Sequence, residues 1–445
     1  MSVLKRVELI GVAQEETAEV FDSAQARKRL KTALVERLGL SSIARILEDD
    51  DPERARQEIE VVLRAILNSD GFSMINVTER GRLIREVLDE VCGLGPIQPL
   101  LEDPGITEVM INGRNAVFFE KAGSIHPSSH VFSSDEQILT VVDRILAPLG
   151  RRVDERNPLV NARLANGDRV NVVIPPVAVD GPMVTIRRFS RTTPRLDDLV
   201  GLQSLPGWYA WVLKQAVRSR ADIAVAGGTG SGKTTLLNAL SCEIDHSERI
   251  VTIEDSAELR FDSHPHVVRL ESRDASIEGI GEVTIRELVR NALRMRPDRI
   301  VVGEVRGAEA IDLLQAVNTG HDGSLTTLHA GSAEEAVLRL VMMARFGMDL
   351  PTDIIEEQIS TGLDLIVMSH RLPGGKRVIG SLSEVGRKTD GGVRLIDCIS
   401  FEPSISTWTL IKEPEFILKA LGERVLSEQE VESWRESLPS QLRSA

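Results

Sequence analysis

Aromatic side chains are scarce. They make up 3% of the 445 residues, and Tyr209 is the sole tyrosine. A base-stacking platform for single-stranded nucleic acid is hard to build from so few rings. Net positive charge is also missing: the formal charge is −14, which opposes non-specific binding to nucleic acid. No direct nucleic-acid partner is therefore expected. Cysteine is limited to Cys92, Cys242 and Cys398. An odd number of widely spaced cysteines suggests neither a disulfide framework nor a zinc site, and the three read as buried free thiols. No apolar run approaches the roughly 18 residues of a membrane span. Met1 to Gly11 mixes Lys5, Arg6 and Glu8 into its apolar residues, so it lacks a secretory hydrophobic region. A cytoplasmic location is expected. The hydrophobic content of 42% is that of an ordinary globular chain, and the length suits two or three domains.

Against that background one stretch stands out: Gly227-Gly228-Thr229-Gly230-Ser231-Gly232-Lys233-Thr234. It fits the phosphate-loop pattern G-x-x-x-x-G-K-[ST] at every fixed position. Asp222 to Ala226 is a short apolar run that reads as a buried strand, and Thr235 to Leu240 reads as the first turns of a helix. Strand, glycine loop, helix is the context the motif needs. Glycines let the backbone curl so that successive N–H groups point at anionic oxygens, and the helix start adds its unpaired N–H groups and positive dipole end. Lys233 would lie on the β- and γ-phosphates and the Thr234 hydroxyl on Mg²⁺. The nucleotide-binding set is Gly227 to Thr234 with Thr235, and ATP with Mg²⁺ is the expected ligand.

The rest of the chain falls around this motif in three parts. Residues 1–77 form an N-terminal helical segment with a polar, mobile start (1–22), then amphipathic helices over Ala24–Leu40 and Pro52–Leu67. Glu48 to Asp51 make an acidic turn between the two helices. A solvated bundle is preferred there to a docking arm. Residues 78–195 read as an α+β domain. A helix runs from Thr78 to Cys92, and strands are expected over Ile106–Asn112, Ala116–Glu120, Leu159–Leu164, Arg169–Ile174 and Met183–Phe189. Hairpin signals stand at Asn112-Gly113 and Asn166-Gly167, and a capping box at Ser134–Gln137 opens a further helix. Residues 196–445 alternate strands and helices: strands over Arg249–Ile253, Val267–Leu270, Arg299–Val302, Ser324–Leu328, Leu363–Met368 and Arg377–Leu382, with a helical tail from about Glu413. Such alternation implies a mostly parallel sheet with helices on both faces. The fold class is therefore α/β, a phosphate-loop domain preceded by a smaller α+β domain and helices.

Hydrolysis needs carboxylates for Mg²⁺ and for the attacking water. Two predicted strands end in them. Ile250 to Ile253 runs into Glu254-Asp255, with Glu258 a turn further on, and Ile300 to Gly303 runs into Glu304. Ligands of an open parallel sheet bind outside the carboxyl ends of strands, so both acids fall on the rim that carries the phosphate loop. His329 ends a third strand on that rim and is placed for a γ-phosphate contact; His321 precedes the same strand. Arg151, Arg152, Arg163, Arg169, Arg187 and Arg188 crowd the α+β domain. A solvated face accounts for most such runs, but phosphoryl transfer often recruits an arginine to the developing charge. Arg290, Arg294 and Arg296, on the helix before the Glu304 strand, read as ion-pair partners within the fold.

At this point the sequence resembles the secretion ATPase superfamily of type II and type IV secretion and pilus systems, most closely its tight-adherence (Tad/Flp) pilus branch of the CpaF type. Ile250–Leu259 is similar to the family's aspartate box, and Ile300–Arg306 to its variant second phosphate motif, in which Glu ends the strand. Thr319-Gly320-His321 through His329-Ala330 is similar to its histidine box, and Val153–Pro176 with Gly181–Phe189 resembles its arginine-bearing segments. The resemblance implies a homohexameric, Mg²⁺-dependent ATPase in the cytoplasm, at the cytoplasmic face of the inner membrane. Such a ring hydrolyses ATP bound between its two domains to drive inner-membrane platform proteins, and associates with the membrane peripherally through them. It further implies that Lys233 and Thr234 hold phosphate and Mg²⁺, that Glu304 polarises water, and that Glu254 assists it or the metal together with Asp255. His329 would report on the γ-phosphate, and Arg163, Arg169, Arg187 and Arg188 would supply arginines. Two departures are visible. The four-cysteine zinc module of the type II branch is missing, which favours the tight-adherence or conjugation-like branches, and Gly331 stands where Asn commonly follows His-Ala.

Overall fold

The computed structural model describes residues 23–47, 51–68, 72, 75–164, 166–189, 194–261, 264–273, 275, 280–389 and 391–440. The expectations for residues 1–22 and 48–50 lie outside the described residues. The chain divides into two compact units, Met1–Arg188 and Phe189–Ala445.

In the first unit, helices Ser23–Leu38, Leu40–Leu47, Pro52–Leu67 and Val77–Val91 share one apolar core that includes Leu30, Leu34, Ile59, Leu63, Leu83 and Val87. Pro52 occupies the first helical position, and the Asp51 carboxylate accepts the N–H groups of Glu53 and Arg54. The sequence predicts one helix through Leu40. The structure breaks it at Gly39, whose φ of +77° is the left-handed conformation that only glycine takes without steric cost.

The same unit carries a six-stranded sheet built from β1 (Ile106–Asn112), β2 (Val117–Lys121), β3 (Ser124–Pro127), β4 (Leu159–Arg163), β5 (Arg169–Val173) and β6 (Met183–Arg187). The order is β3-β2-β1-β6-β5-β4, and every neighbouring pair is antiparallel. Helix Asp135–Leu146 covers one face, burying Ile138 and Val142 with Val109, Ile111, Val184 and Ile186. Strand β3 escaped the sequence reading because all four of its residues are exposed, which leaves no in–out alternation to detect.

The second unit holds a nine-stranded sheet. Its strands are β7 (Ile223–Gly227), β8 (Ile250–Glu254), β9 (Val267–Glu271), β10 (Arg299–Val302), β11 (Leu325–His329), β12 (Leu365–Arg371), β13 (Arg377–Arg387), β14 (Val393–Glu402) and β15 (Thr407–Leu410), in the order β15-β14-β13-β12-β7-β11-β10-β8-β9. From β12 to β9 all pairs are parallel; from β12 to β15 all are antiparallel. Alternate residues of β7 feed two cores. Ile223 and Val225 pack under helices Gly207–Arg218 and Lys233–Ser241. Ala224 and Ala226 pack on the other face, under helices Glu309–Val317 and Ala333–Gly347. The expected mostly parallel sheet with helices on both faces is thus present.

One expectation needs correction. The sequence reading stops β13 at Leu382 and assigns no strand between 393 and 410. The structure continues β13 to Arg387 and adds β14 and β15. The alternation of β14 is broken by adjacent apolar pairs, Leu395-Ile396 and Cys398-Ile399, and the pairing of β13 with β14 slips between Leu382 and Ser383.

The cysteines are free as expected, but only Cys398 is buried; Cys92 and Cys242 are half-buried. Among the described residues no helix is long and apolar enough to cross a membrane.

Candidate nucleotide site

The phosphate loop begins where β7 ends. Gly227 is in register with His329 of β11 on one side and with Ser369 of β12 on the other. A Cβ on Gly227 would stand 2.3 Å from the Ser369 carbonyl oxygen, so only glycine fits there. Gly230 (φ +70°) and Gly232 (φ +100°) take the left-handed turns that lead into helix Lys233–Ser241.

Lys233 is buried at the first helical position. Its Nζ donates to the Gly228 carbonyl at 3.1 Å and stands 3.4 and 3.5 Å from the two ring nitrogens of His329. His329 Nε2 lies 2.8 Å from Glu304 Oε1, and Glu304 Oε2 accepts from Arg306 at 2.6 Å. Arg306 also reaches Asp255 at 3.5 Å. The chain of contacts Lys233–His329–Glu304–Arg306–Asp255 spans loop, β11, β10 and β8, as the strand-end reading requires. Burial, reinforced by the Lys233 ammonium, holds the imidazole below its usual pKa while Glu304 opposes the shift. His329 is therefore neutral near pH 7.

Glu254 is packed beneath this chain, 3% exposed. Its Oε1 accepts the N–H groups of Glu258 at 2.7 Å and Leu259 at 2.9 Å. Burial outweighs those bonds and raises its pKa to about 7. A Cβ on Gly303 would come within 2.9 Å of Glu254 Cγ, so the glycine before Glu304 makes room for it. Among the described residues Glu254 Oε2 and Ser231 Oγ are buried without a hydrogen-bond partner, and such atoms in a folded interior call for a ligand, a water or a role. Thr234 follows Lys233 in the first helical turn. Mg²⁺ takes oxygen donors and usually keeps several waters beside one or two carboxylates and substrate phosphates. The Thr234 hydroxyl and the open Glu254 oxygen fit that donor set. Asp255 is exposed and accepts from the Ser272 hydroxyl at 3.0 Å.

Other sequence-named residues are placed elsewhere. His321 stands at the opposite end of β11, against the Ala316 carbonyl at 3.2 Å, and Arg290 pairs with Asp312 at 2.6 Å. The four arginines of the nucleotide reading belong to the first unit. Arg163, Arg169 and Arg187 are direct cross-strand partners along β4, β5 and β6, and Arg187 faces Glu108 of β1. Like charges directly opposite destabilise a sheet, and Glu108 offsets that cost at the Arg187 end of the row. Arg188 points away from the row and donates to the carbonyls of Asp103 and Ile106.

Three contributors were not named from the sequence as site residues: Arg306, Ser369 and Arg377. Ser369 Oγ donates to the Ser231 carbonyl at 2.8 Å, and Arg377 Nε to the Gly230 carbonyl at 3.0 Å. The signal for Ser369 was available, because the apolar run Leu365–Met368 ends in a polar residue just as the Glu254 and Glu304 strands do.

The family model for the type II/IV secretion system protein matches residues 90–374, which includes the phosphate loop and strands β7 to β12. The chain belongs to this family. A protein of Mycobacterium tuberculosis (strain CDC 1551 / Oshkosh) named for conjugal transfer is 36% identical over 329 residues, 73% of this chain and 93% of that one. The type IV secretion system protein VirB11 of Brucella suis biovar 1 (strain 1330) is 35% identical over 305 residues, 62% of this chain and 84% of that one. The crystal structure of the Brucella suis VirB11 ATPase with sulphate is similar at 33% identity with a TM-score of 0.36, over 65% of this chain and 95% of that one.

Proposed function

We propose that the chain is an Mg²⁺-dependent ATPase and the hexameric motor of a bacterial envelope machine, one that powers pilus assembly of the tight-adherence kind or protein secretion. The observation that carries the reading is the convergence of Lys233, His329, Glu304 and Glu254 on one sheet rim around a glycine loop. ATP and its metal would lie on the loop and Thr234, Glu304 would orient the attacking water with His329 against it, and Glu254 would serve the metal or the water. The arginine row Arg163–Arg169–Arg187 supports a supply of positive charge for the phosphates; Arg188, held on carbonyls of its own unit, is the weaker candidate of the four. The working location is the cytoplasmic face of the inner membrane, held there by platform proteins.

A second reading has support of its own. Relatives named for conjugal transfer and for type IV secretion favour a conjugation-type motor, against which the acidic charge and scarce aromatics weigh only for direct nucleic-acid contact. A nucleotide-gated scaffold with little turnover is the remaining alternative.

The test is steady-state phosphate release with Mg-ATP by the unmodified protein, Lys233→Ala and Glu304→Gln. Hydrolysis is expected in the unmodified protein alone, with kcat down about 10²-fold or more in Glu304→Gln while nucleotide still binds. Full turnover in Glu304→Gln would remove that residue from its role. Bound ATP without turnover in any form would select the scaffold.

A further inference from the structure

The flank of the phosphate loop that faces β12 and β13 does no chemistry in the account above, yet it is built with care. The pairing of β12 with β13 slips between Val367 and Ser369. Bulges of this kind re-aim side chains, often beside active sites. Immediately after the slip, the fully buried Ser369 hydroxyl donates to the Ser231 carbonyl at 2.8 Å. From the partner strand, Arg377 Nε donates to the Gly230 carbonyl at 3.0 Å, and a Cβ on Gly232 would lie 3.5 Å from Arg377 Cδ. Two consecutive loop peptides are thus held by their oxygens from one side.

A planar trans peptide points its N–H opposite to its C=O. Fixing the Gly230 carbonyl toward the hairpin turns the Ser231 N–H inward, where its bond to the Gly228 carbonyl is long, 3.3 Å. Fixing the Ser231 carbonyl turns the Gly232 N–H the same way. A loop with four glycines in six residues has much conformational freedom to lose when it closes on an anion. We infer that Ser369 and Arg377 are positioning residues that pre-set the loop's N–H groups for the phosphates of a nucleoside di- or triphosphate. The inference rests on the nucleotide-binding reading. It assigns to the β12–β13 hairpin a part in ground-state binding, separate from the carboxylates and histidine on the other flank.

An alternative use of the hairpin is as a patch of positive charge. Arg371 faces Arg377 directly across the strands, Lys376 precedes Arg377, and Ser369 to Arg377 contains no carboxylate. The two uses predict different variants. Arg377→Gln keeps an N–H donor and loses the charge, whereas Lys376→Ala loses a charge and leaves both loop bonds in place.

The experiment measures the Kd of a fluorescent ADP analogue and steady-state ATP hydrolysis on the full chain. Arg377→Ala and Ser369→Ala are expected to raise Kd and KM together by roughly tenfold with kcat nearly unchanged. Arg377→Gln should recover most of the affinity, and Lys376→Ala should bind as the unmodified protein does. Arg377 is exposed, so its variants test the idea even if Ser369→Ala fails to fold. Four results overturn the inference: Arg377→Ala binding unchanged; kcat falling at constant KM; Arg377→Gln as weak as Arg377→Ala; or Lys376→Ala as weak as either. An unmodified protein that binds the ADP analogue no better than Lys233→Ala overturns the nucleotide-binding reading itself, a distinguishable outcome.

Discussion

Strand β7 has two parallel neighbours, and they treat the loop at its end differently. Both are in register with Gly227, β11 through His329 and β12 through Ser369. On the β11 side stand groups that carry charge or move protons: His329, then Glu304 and Arg306 after β10, then Glu254 on β8. On the β12 side stand donors bound to loop carbonyls, Ser369 and Arg377. The first set faces the place where phosphate would react; the second faces the back of the loop. On the proposed function, a single strand separates a flank that would act on the transition state from one that would shape the ground state, and substitutions should divide between kcat and KM along that line.

The strongest way to break this division is to cut both flanks at once. Glu304→Gln alone is expected to lower kcat about 10²-fold, and Arg377→Ala alone to raise KM roughly tenfold. If the flanks act on separate quantities, the double variant loses roughly 10³ in kcat/KM, the product of the two. Steady-state kinetics on the four proteins checks this. A double variant no worse than Glu304→Gln would mean that both flanks act as one unit, and the comparison would fail.

The two flanks also differ in how legible they were. The β11 side is written in the sequence because its chemistry needs particular residue types at strand ends: a carboxylate after Ile253, another after Gly303, an imidazole after Leu328. Apolar runs that stop in such residues, in an alternating chain, place them on one rim without knowledge of side-chain geometry. The β12 side needs only a hydrogen-bond donor near a carbonyl, which many residues supply, and its placement depends on a bulge and a hairpin register that no local pattern announces. Strand β14 was missed for a related reason, since a register slip against β13 mixes its apolar residues between faces. Arg306 lay inside a quoted motif but drew no role, because its contacts with Glu304 and Asp255 depend on side-chain placement that the motif does not announce. In the first unit, sequence reading found the arginines but not that three of them form one cross-strand row. That is a property of register, and Arg188 shows how the neighbouring position turns away to satisfy carbonyls.

A smaller effect sharpens the β11 side. Burial raises Glu254 to about pKa 7. If it serves metal or water as a carboxylate, the active form grows as pH rises through that value, so kcat should climb between pH 6 and pH 8 by at most about tenfold. His329, held below its usual pKa, adds no limb above pH 7. Glu254→Gln should abolish the rise in whatever activity remains, whereas Ser369→Ala should keep it. A rate profile with the same ascending limb in Glu254→Gln would assign the titration to another group.

The smallest expected effect lies at the far end of β7, where the two flanks are tied together. Asp222 Oδ1 accepts the Ser324 N–H just before β11, and the Asp222 N–H donates to Asp364 Oδ2 just before β12, both at 2.8 Å. The Asp222 carbonyl accepts from Asp364 and Leu365 at 3.0 and 3.1 Å. Burial, with Asp364 alongside, raises the Asp222 pKa to about 8. A carboxyl whose pKa is higher folded than unfolded holds its proton in the native state over a window where the unfolded chain has lost it. Its contribution is complete below about pH 4 and is lost as pH rises toward 8. Glu254 adds a slope of the same sign up to about 7. Asp222→Asn keeps an acceptor for Ser324 and removes the ionisation, so its Tm should fall less steeply between pH 5 and pH 8.5 than that of the unmodified protein. A gain of roughly 2–4 °C at the alkaline end is the scale for about 1 kcal/mol in a domain of this size. Parallel Tm–pH curves would show that Asp222 is already ionised in the folded protein. The Ser324 bond at the junction would then be accepted by a charged Asp222 carboxylate throughout that range.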